Sequence, residues 1–378
     1  MKVLAVFHDN NLNSGATKSF LSNILYMNNQ EDINIVAVVP KKDGNLIDLL
    51  KKHNIKTFQL RYGGNVYGVK KKWLNNFVSY CRCLIKTIIS YLNSRKFELI
   101  LHNLSIDAVY SNTSTIYFGA WIARRMKINH YWHFREFNLE DQNSCHIFPR
   151  MFNELMNMTN CIFTISKTLD NYYKNKYGLL NTIVLYNDIS KDYINLDKEK
   201  HRKINILVTG TLCENKGQLF VIKTLQNKDN IMLYIAGKVN DYGHILESYI
   251  ENNSIRNIKM CGLVTDMKEL RKKIDVSIVA ASSEAFGRTI IEDMLSSILV
   301  IGCDRGAVPE LISNYKTGLL YKYMSSEDLI RKIEWVIENK AENENIRKNA
   351  FEYALKFTEE RTAKEVYNYI INGKNCNC

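Results

Sequence analysis

The feature that most limits how this chain can fold is an alternation. Short runs rich in β-branched residues, apolar on both faces, trade places with helix-length segments over almost all of its 378 residues. Strands apolar on both faces belong in parallel sheets covered by helices on each side, so the pattern predicts a doubly wound α/β architecture. Strands are expected at 2–8, 33–40, 55–60, 98–104, 107–112, 128–134, 161–166 and 182–187, with helices at 14–28, 44–53, 114–127, 145–158 and 166–177. The alternation breaks once, at the polar stretch "DISKDYINLDKEKHRK" (188–203), and then restarts with strands at 204–210, 231–237, 258–263, 276–280, 298–303 and 318–321. Helices close the chain between 325 and 372. A polar break with little to pack reads as a linker. The expected domains are therefore 1–190 and 204–355, joined by 191–203, with a last helix and polar tail over 356–378 that crosses back to the first domain. Open parallel sheets bind ligands beyond the carboxyl ends of their strands, so two such domains can face one cleft.

Composition supports this and narrows the partners. At 46% apolar and 24% charged residues, the chain has material for two ordinary cores. No apolar run reaches the roughly 18 residues that would span a bilayer. The opening "MKVLAVFHDNN" reads as a first strand rather than a signal peptide, so a cytoplasmic location is expected. A net charge of +12 favours an anionic partner. The basic residues are dispersed, apart from Lys70, Lys71 and Lys72 beside Trp73, and no nucleic-acid module accompanies them, which argues against nucleic acid. The stretch 68–93, "GVKKKWLNNFVSYCRCLIKTIISYLN", is expected to be a helix with apolar surface at Trp73, Phe77, Leu84, Ile85, Ile88 and Ile89. It either packs on the sheet or rests on an anionic membrane, the second placing the protein at the inner face of the cell membrane. Nine scattered cysteines form no framework; Cys81-Arg-Cys83 and Cys376-Asn-Cys378 lack partner pairs for zinc, and most are expected to be reduced packing residues.

The chemistry is concentrated in "SSEAFGRTIIEDML" (282–295), a turn and helix after an apolar strand. The pattern puts Glu284 in the loop and Glu292 about one and a half turns into the helix, at 3.6 residues per turn. Amides near Phe286, Gly287 and Arg288 then lie at a helix N-terminus, whose partial positive charge suits a diphosphate. Gly287 permits a close approach that a Cβ would obstruct. A carboxylate accepts two hydrogen bonds from a vicinal diol, so two glutamates can hold the hydroxyls of two sugars. Spacing alone is weak support, and a surface helix that happens to carry acids is the plain alternative.

The surrounding residues add to this. "SEAFGRTIIEDMLSSILVIGCDRGAVPELISNYKTGLLY" resembles the signature of the large retaining glycosyltransferase family four, with its E-x7-E motif and GT-B fold of two Rossmann-like domains. The likeness covers nearly the whole chain. "NSGATKSFLSNIL" is similar to the family's Gly-rich first loop, and "DAVYSNTSTIYFGAWIARRMKINHYWHFREF" to the segment that leads to its active-site histidine. "FTISKTLDNYYKNKYG" and "VLYNDI" resemble the closing elements of the first domain, "GTLCENKGQ" the phosphate loop and "CGLVTDM" the base-binding turn.

Carried over position by position, the resemblance implies that Glu284 binds hydroxyls of the transferred sugar and Glu292 the ribose. Amides of Phe286, Gly287 and Arg288 hold sugar and diphosphate, and Lys216 neutralises the departing diphosphate. Backbone at Leu263 and Val264 meets the base, Gly15 approaches the phosphates or the acceptor, and His133 touches the donor sugar. Plainer readings exist for three of these: Lys216-Gly217 as a solvated turn, Gly15 as a turn residue, and His133 as a satisfied core histidine. The family's usual arginine after the phosphate-loop glycine is here Thr211, and Arg288 is the expected replacement.

The implied reaction is metal-independent transfer of a hexosyl-type sugar, with retention, from a nucleoside diphosphate to a glycan or lipid-linked acceptor in bacterial surface polysaccharide synthesis. A UDP-sugar is the favoured co-substrate, and no cofactor or metal is implied. No D-x-D triplet exists to hold a metal-bridged donor. "SGATKS" lacks the glycines of a P-loop, and no G-x-G-x-x-G follows a strand. Two alternatives remain: a sugar-nucleotide epimerase or hydrolase of the same fold, and a non-catalytic nucleotide-sugar-binding module.

Overall fold

The computed structural model describes residues 1–12, 14–69, 73–199 and 201–373. The cluster Lys70–Lys72 and the pair Cys376 and Cys378 lie outside the described residues. The chain forms two compact units. Unit 1 is Met1–Asp188 together with the residues from Glu360 onward, and unit 2 is Ile189–Glu359.

The strands of unit 1 are β1 (Lys2–Val6), β2 (Asn34–Pro40), β3 (Lys56–Leu60), β4 (Val66–Gly68), β5 (Ala108–Asn112), β6 (Asn129–Phe134), β7 (Ser144–His146), β8 (Cys161–Thr164) and β9 (Thr182–Val184). Those of unit 2 are β10 (Ile204–Thr209), β11 (Ile231–Ala236), β12 (Ile258–Gly262), β13 (Val276–Val279), β14 (Leu299–Cys303) and β15 (Leu319–Tyr321). Unit 1 is built on a seven-stranded parallel sheet in the order β3-β2-β1-β5-β6-β8-β9, and unit 2 on a six-stranded parallel sheet in the order β12-β11-β10-β13-β14-β15.

The double-sided apolar strands explain the parallel arrangement. Val3 and Ala5 of β1 pack with Phe20, Ile24 and Met27 on one side, while Leu4 and Val6 pack with Phe97, Phe118 and Ile122 on the other. Burying each such side chain contributes about 1.5–3 kcal/mol, and only a sheet covered by helices on both faces buries both sets. In each sheet the strand order reverses once, between β1 and β5 and between β10 and β13. The loops after such neighbouring strands diverge to opposite faces and leave a crevice at their carboxyl ends.

Three segments differ from the sequence expectation. Residues 98–104 are not a strand: the helix expected at 68–93 is Trp73–His102, thirty residues long, and it includes most of them. "ELILH" contains no helix breaker, and Phe97 and Leu101, four apart, are both buried by the same helix face. The helix ends at His102, and the following turn reaches a left-handed residue at Ser105, whose φ is 51°. A short antiparallel pair, β4 with β7, also went unrecognised, because three-residue strands carry no readable period. Finally, residues 191–199 are not a free linker. The Asn195 amide donates to the Leu295 carbonyl, and its side chain donates to the Lys268 carbonyl. Lys198 Nζ donates to the carbonyls of Arg271 and Ile274. Asn195 is buried, and it and Lys198 satisfy carbonyls at helix ends of unit 2, while Lys191, Asp192, Asp197 and Glu199 remain exposed.

The last helix, Arg361–Ile371, belongs to unit 1. Val366 and Ile370 join the core cluster of Ile24 and Met27, and Asp188 accepts from the amides of Thr362 and Ala363 at its N-terminus (3.3 and 2.9 Å).

Candidate active site

In unit 2 the residues singled out from the sequence collect at the carboxyl ends of the sheet. The loop after β10 ends in a one-turn helix, Glu214–Lys216, closed by Gly217 at φ 69°. A side chain at Gly217 would place a Cβ 2.5 Å from the Ala280 carbonyl oxygen, so only glycine lets this loop lie against the end of β13. The Ser282 amide donates to the Asn215 carbonyl (2.9 Å), which ties the loops after β10 and β13 together. The backbone of Glu284 is held from the other side. Its carbonyl accepts from the Ala307 amide (2.8 Å), and a Cβ on Gly306, at φ 58°, would lie 2.5 Å from its nitrogen. Both loops therefore hold their side chains on rigid backbone, and Lys216 Nζ meets Glu284 Oε2 at 2.6 Å. The pair sits where the strand order reverses. The lysine side chain is 32% exposed and the glutamate 16%, so solvent reaches both.

Gly287, at φ 98°, starts the helix Arg288–Leu295. Glu292 on that helix is held by two arginines. Arg271 Nη2 donates to Oε2 (3.0 Å), and Arg288 Nη2 reaches Oε1 (3.4 Å). Arg271 is 1% exposed, donates through Nε to Asp293 (2.8 Å), and stacks its guanidinium over the Tyr193 ring. Burial pushes the Asp293 carboxyl up, and Arg271 opposes that shift. An ionised carboxylate offers about four acceptor positions, so Glu292 retains capacity for hydroxyl donors while the arginines fix its orientation. Arg288, expected to stand in for the phosphate-loop arginine, here faces Glu292. Thr211 is exposed, and its carbonyl accepts from the Gln218 side chain (3.0 Å). Leu263 is exposed and Val264 half-buried, both just beyond Gly262 at the end of β12. Phe286 is buried, 6.0 Å from the Phe357 ring.

In unit 1, Gly15 opens the helix Gly15–Asn28 that follows β1. His133 is fully buried. It lies on β6 with 0% exposure, its Nδ1 2.8 Å from the Tyr110 hydroxyl and its Nε2 buried. Burial and the nearby Arg135 hold it far below the ordinary imidazole range. Tyr110 meets one ring nitrogen, and the other, Nε2, has no hydrogen-bond partner among the described residues.

The polar groups at the strand ends here are others. Arg135 donates to Asn112 (2.6 Å) and to Asn187, Asn112 donates to the Ala16 carbonyl (3.1 Å), and Glu136 accepts from the amide and hydroxyl of Ser114 (both 2.6 Å). Sequence reasoning passed over them because they flank the histidine in "YWHFREF" without forming a motif of their own.

Four histidines, three of them buried and His8 half-buried, give unit 1 a definite pH response. Burial lowers His130 and His146 to about 3 and His8 to about 4, and His133 falls in the same direction. Folding thus favours neutral rings: their stability contribution is complete above the ordinary value of 6.5 and is lost as pH falls towards the folded values. Each pH unit in that window removes about 1.4 kcal/mol per imidazole. Glu136 acts oppositely, because burial raises it to about 7 and its protonated form favours folding as pH falls from there. Asp188, also raised by burial, acts with Glu136, and two carboxyls against four imidazoles leave a net acid loss. The thermal midpoint of unit 1 is expected to drop steeply between about pH 7 and about pH 5; a flat profile would contradict the burial of neutral rings.

Two parallel α/β units with these strand orders match the GT-B fold of glycosyltransferases. Residues 191–353 match the family model of glycosyl transferases group 1. An uncharacterized glycosyltransferase of Methanocaldococcus jannaschii is 28% identical over 200 residues, 52% of this chain and 54% of that protein. The Campylobacter jejuni N,N'-diacetylbacillosaminyl-diphospho-undecaprenol alpha-1,3-N-acetylgalactosaminyltransferase is 24% identical over 152 residues, 39% of each chain. The matches thus span about half or less of these curated relatives' length. Among solved structures, Anabaena HepE in complex with UDP-glucose superposes with a TM-score of 0.76 over 99% of this chain and 100% of that one, at 18% identity.

Proposed function

We propose that the protein transfers a hexosyl-type sugar, with retention of configuration, from a nucleoside diphosphate to a glycan or lipid-linked acceptor. The observation that carries this is the Lys216–Glu284 pair, held on glycine-pinned loops where the sheet of unit 2 reverses order. A leaving nucleoside diphosphate gains negative charge on its β-phosphate as the sugar becomes oxocarbenium-like. Catalysis then requires positive charge already in place and a sugar held in position. Lys216 supplies the charge, the N-terminus of the helix Arg288–Leu295 adds amide donors, and Glu284 orients the sugar hydroxyls. Glu292, steadied by Arg271, takes the ribose. Leu263 and Val264 flank the base, and Gly15 approaches the phosphates or acceptor. A UDP-sugar is favoured, as HepE binds UDP-glucose, and surface-glycan synthesis is the favoured setting, given the Campylobacter enzyme's lipid-diphosphate substrate name.

The test is a thermal-shift and turnover screen of nucleotide sugars in excess chelator. A stabilising donor and undiminished transfer are expected, since protein cations serve the leaving group; loss of activity in chelator would refute metal independence. Donor turnover that never needs an acceptor would instead place the protein among epimerases or hydrolases, and binding without turnover would make it a non-catalytic module. Arg288→Ala is expected to weaken donor binding about tenfold or more, the worth of one charge-assisted hydrogen bond, by calorimetry. Unchanged binding would remove Arg288 as the substitute for the arginine replaced by Thr211.

A further inference from the structure

The helix Trp73–His102 is inverted. Its buried stripe runs Cys83, Thr87, Ser90, Ser94, Phe97 and Leu101, so small polar residues occupy three of six inward positions. On the opposite side Trp73, Phe77, Ile85, Ile88, Leu92 and Leu99 are between 50% and 75% exposed. A helix of a soluble domain normally turns its apolar stripe to the core. Here unit 1 receives the serines, and an apolar ridge about 40 Å long, at 1.5 Å per residue, is left outside.

Arg82 and Lys86 border that ridge, and with Lys41, Lys42 and Arg61 they line a cavity of about 940 Å³. No acidic side chain lines it, among the described residues. Lys42 lies 3.7 Å from Asp9, and the other four show no ion pair with a carboxylate among the described residues. Val78 and Ile89 belong both to the cavity wall and to the exposed ridge, so the cationic and apolar surfaces are continuous. A free anion would use only the cavity. A phosphate carried on a long hydrocarbon uses both.

We propose that this cavity binds the phosphates of a lipid-linked acceptor of the diphosphate class, with the apolar ridge lying in the surface of the bilayer that holds it. The word acceptor rests on the glycosyltransferase reading above; the lipid-phosphate site does not. Among the described residues no helix is long and apolar enough to cross a membrane, so the helix lies along the interface. The cavity is large enough for a diphosphate and its first sugar, since small-ligand sites run to roughly 300–1,000 Å³.

The experiment is flotation of the full chain with phosphatidylcholine vesicles, with and without a polyprenyl diphosphate, alongside the thermal shift given by UDP-glucose. Association is expected with the diphosphate vesicles. It should fall about 25-fold in the double variant Arg82→Gln with Lys86→Gln, at roughly fivefold per cation, while the UDP-glucose shift persists. Equal association with plain vesicles, or no loss in the variant, overturns the site. So does equal affinity for inorganic pyrophosphate in solution, which would assign the cavity to a free anion, or vesicle-independent dimerisation through the ridge. Flotation that behaves as expected without any donor shift would sink the glycosyltransferase reading and leave the lipid-phosphate site standing.

Discussion

Lys216→Ala is expected to slow sugar transfer by about 10²–10³-fold, the usual cost of removing one preorganised stabiliser of developing negative charge. The loss should fall mainly on the chemical step, because the charge that Lys216 meets is larger in the transition state than in the bound donor. Stability should change little. The Lys216–Glu284 contact is partly solvent-exposed, and exposed pairs contribute about 0–1 kcal/mol. Lys216→Arg keeps the charge and is expected to recover part of the rate, with the shortfall measuring how much the 2.6 Å geometry matters. Single-turnover rates and circular dichroism on the same preparations separate chemistry from folding. A rate within a few-fold of wild type in Lys216→Ala would remove the leaving-group role.

Arg271→Met is expected to destabilise unit 2 by about 3–5 kcal/mol, because it leaves Asp293 and Glu292 without the cation that compensates their burial. For a unit of this size that lowers the thermal midpoint by roughly 10 °C. The deficit should depend on pH with a definite sign. Burial raises the Asp293 carboxyl, and Arg271 works against that rise. Without the arginine the folded state retains a proton that the unfolded state has released, so the variant loses further stability as pH rises and is least affected in acid. Donor binding should suffer too, since Arg271 fixes the Glu292 carboxylate. The double variant Arg271→Met with Asp293→Leu separates the two effects: an apolar replacement of the buried pair is often stability-neutral, but it restores no grip on Glu292. Recovery of donor affinity along with stability would show that Arg271 serves the core alone.

The parts of this architecture that could be read in advance were those whose residues carry a period. Strands β1, β5, β10 and β13 are buried on both faces, and that alone pointed to parallel sheets. Glu284 and Lys216 were legible because each follows such a strand. Arg271 was not: within "DMKELRKKID" it looks like one more cation on a solvated face, and only the tertiary structure buries it beneath Glu292 and Asp293. Residues 98–104 misled because a short apolar run fits a strand or a buried helix equally well. The polar stretch 191–199 reads as a linker, yet Asn195 and Lys198 within it satisfy the backbone of neighbouring helices. The full burial of His133 in "YWHFREF" is likewise set by the tertiary structure.

The helix Arg361–Ile371, packed into the core of unit 1, bears on the order in which the two units mature during synthesis. Unit 2 is one continuous segment, whereas the first core lacks Val366 and Ile370 until translation has passed beyond it. A nascent chain should therefore carry an unfinished first sheet while the later-encoded unit is already able to close. Ribosome-bound intermediates arrested just short of Arg361 would expose the face of the helix Gly15–Asn28 that Val366 and Ile370 later cover, a natural docking place for a chaperone.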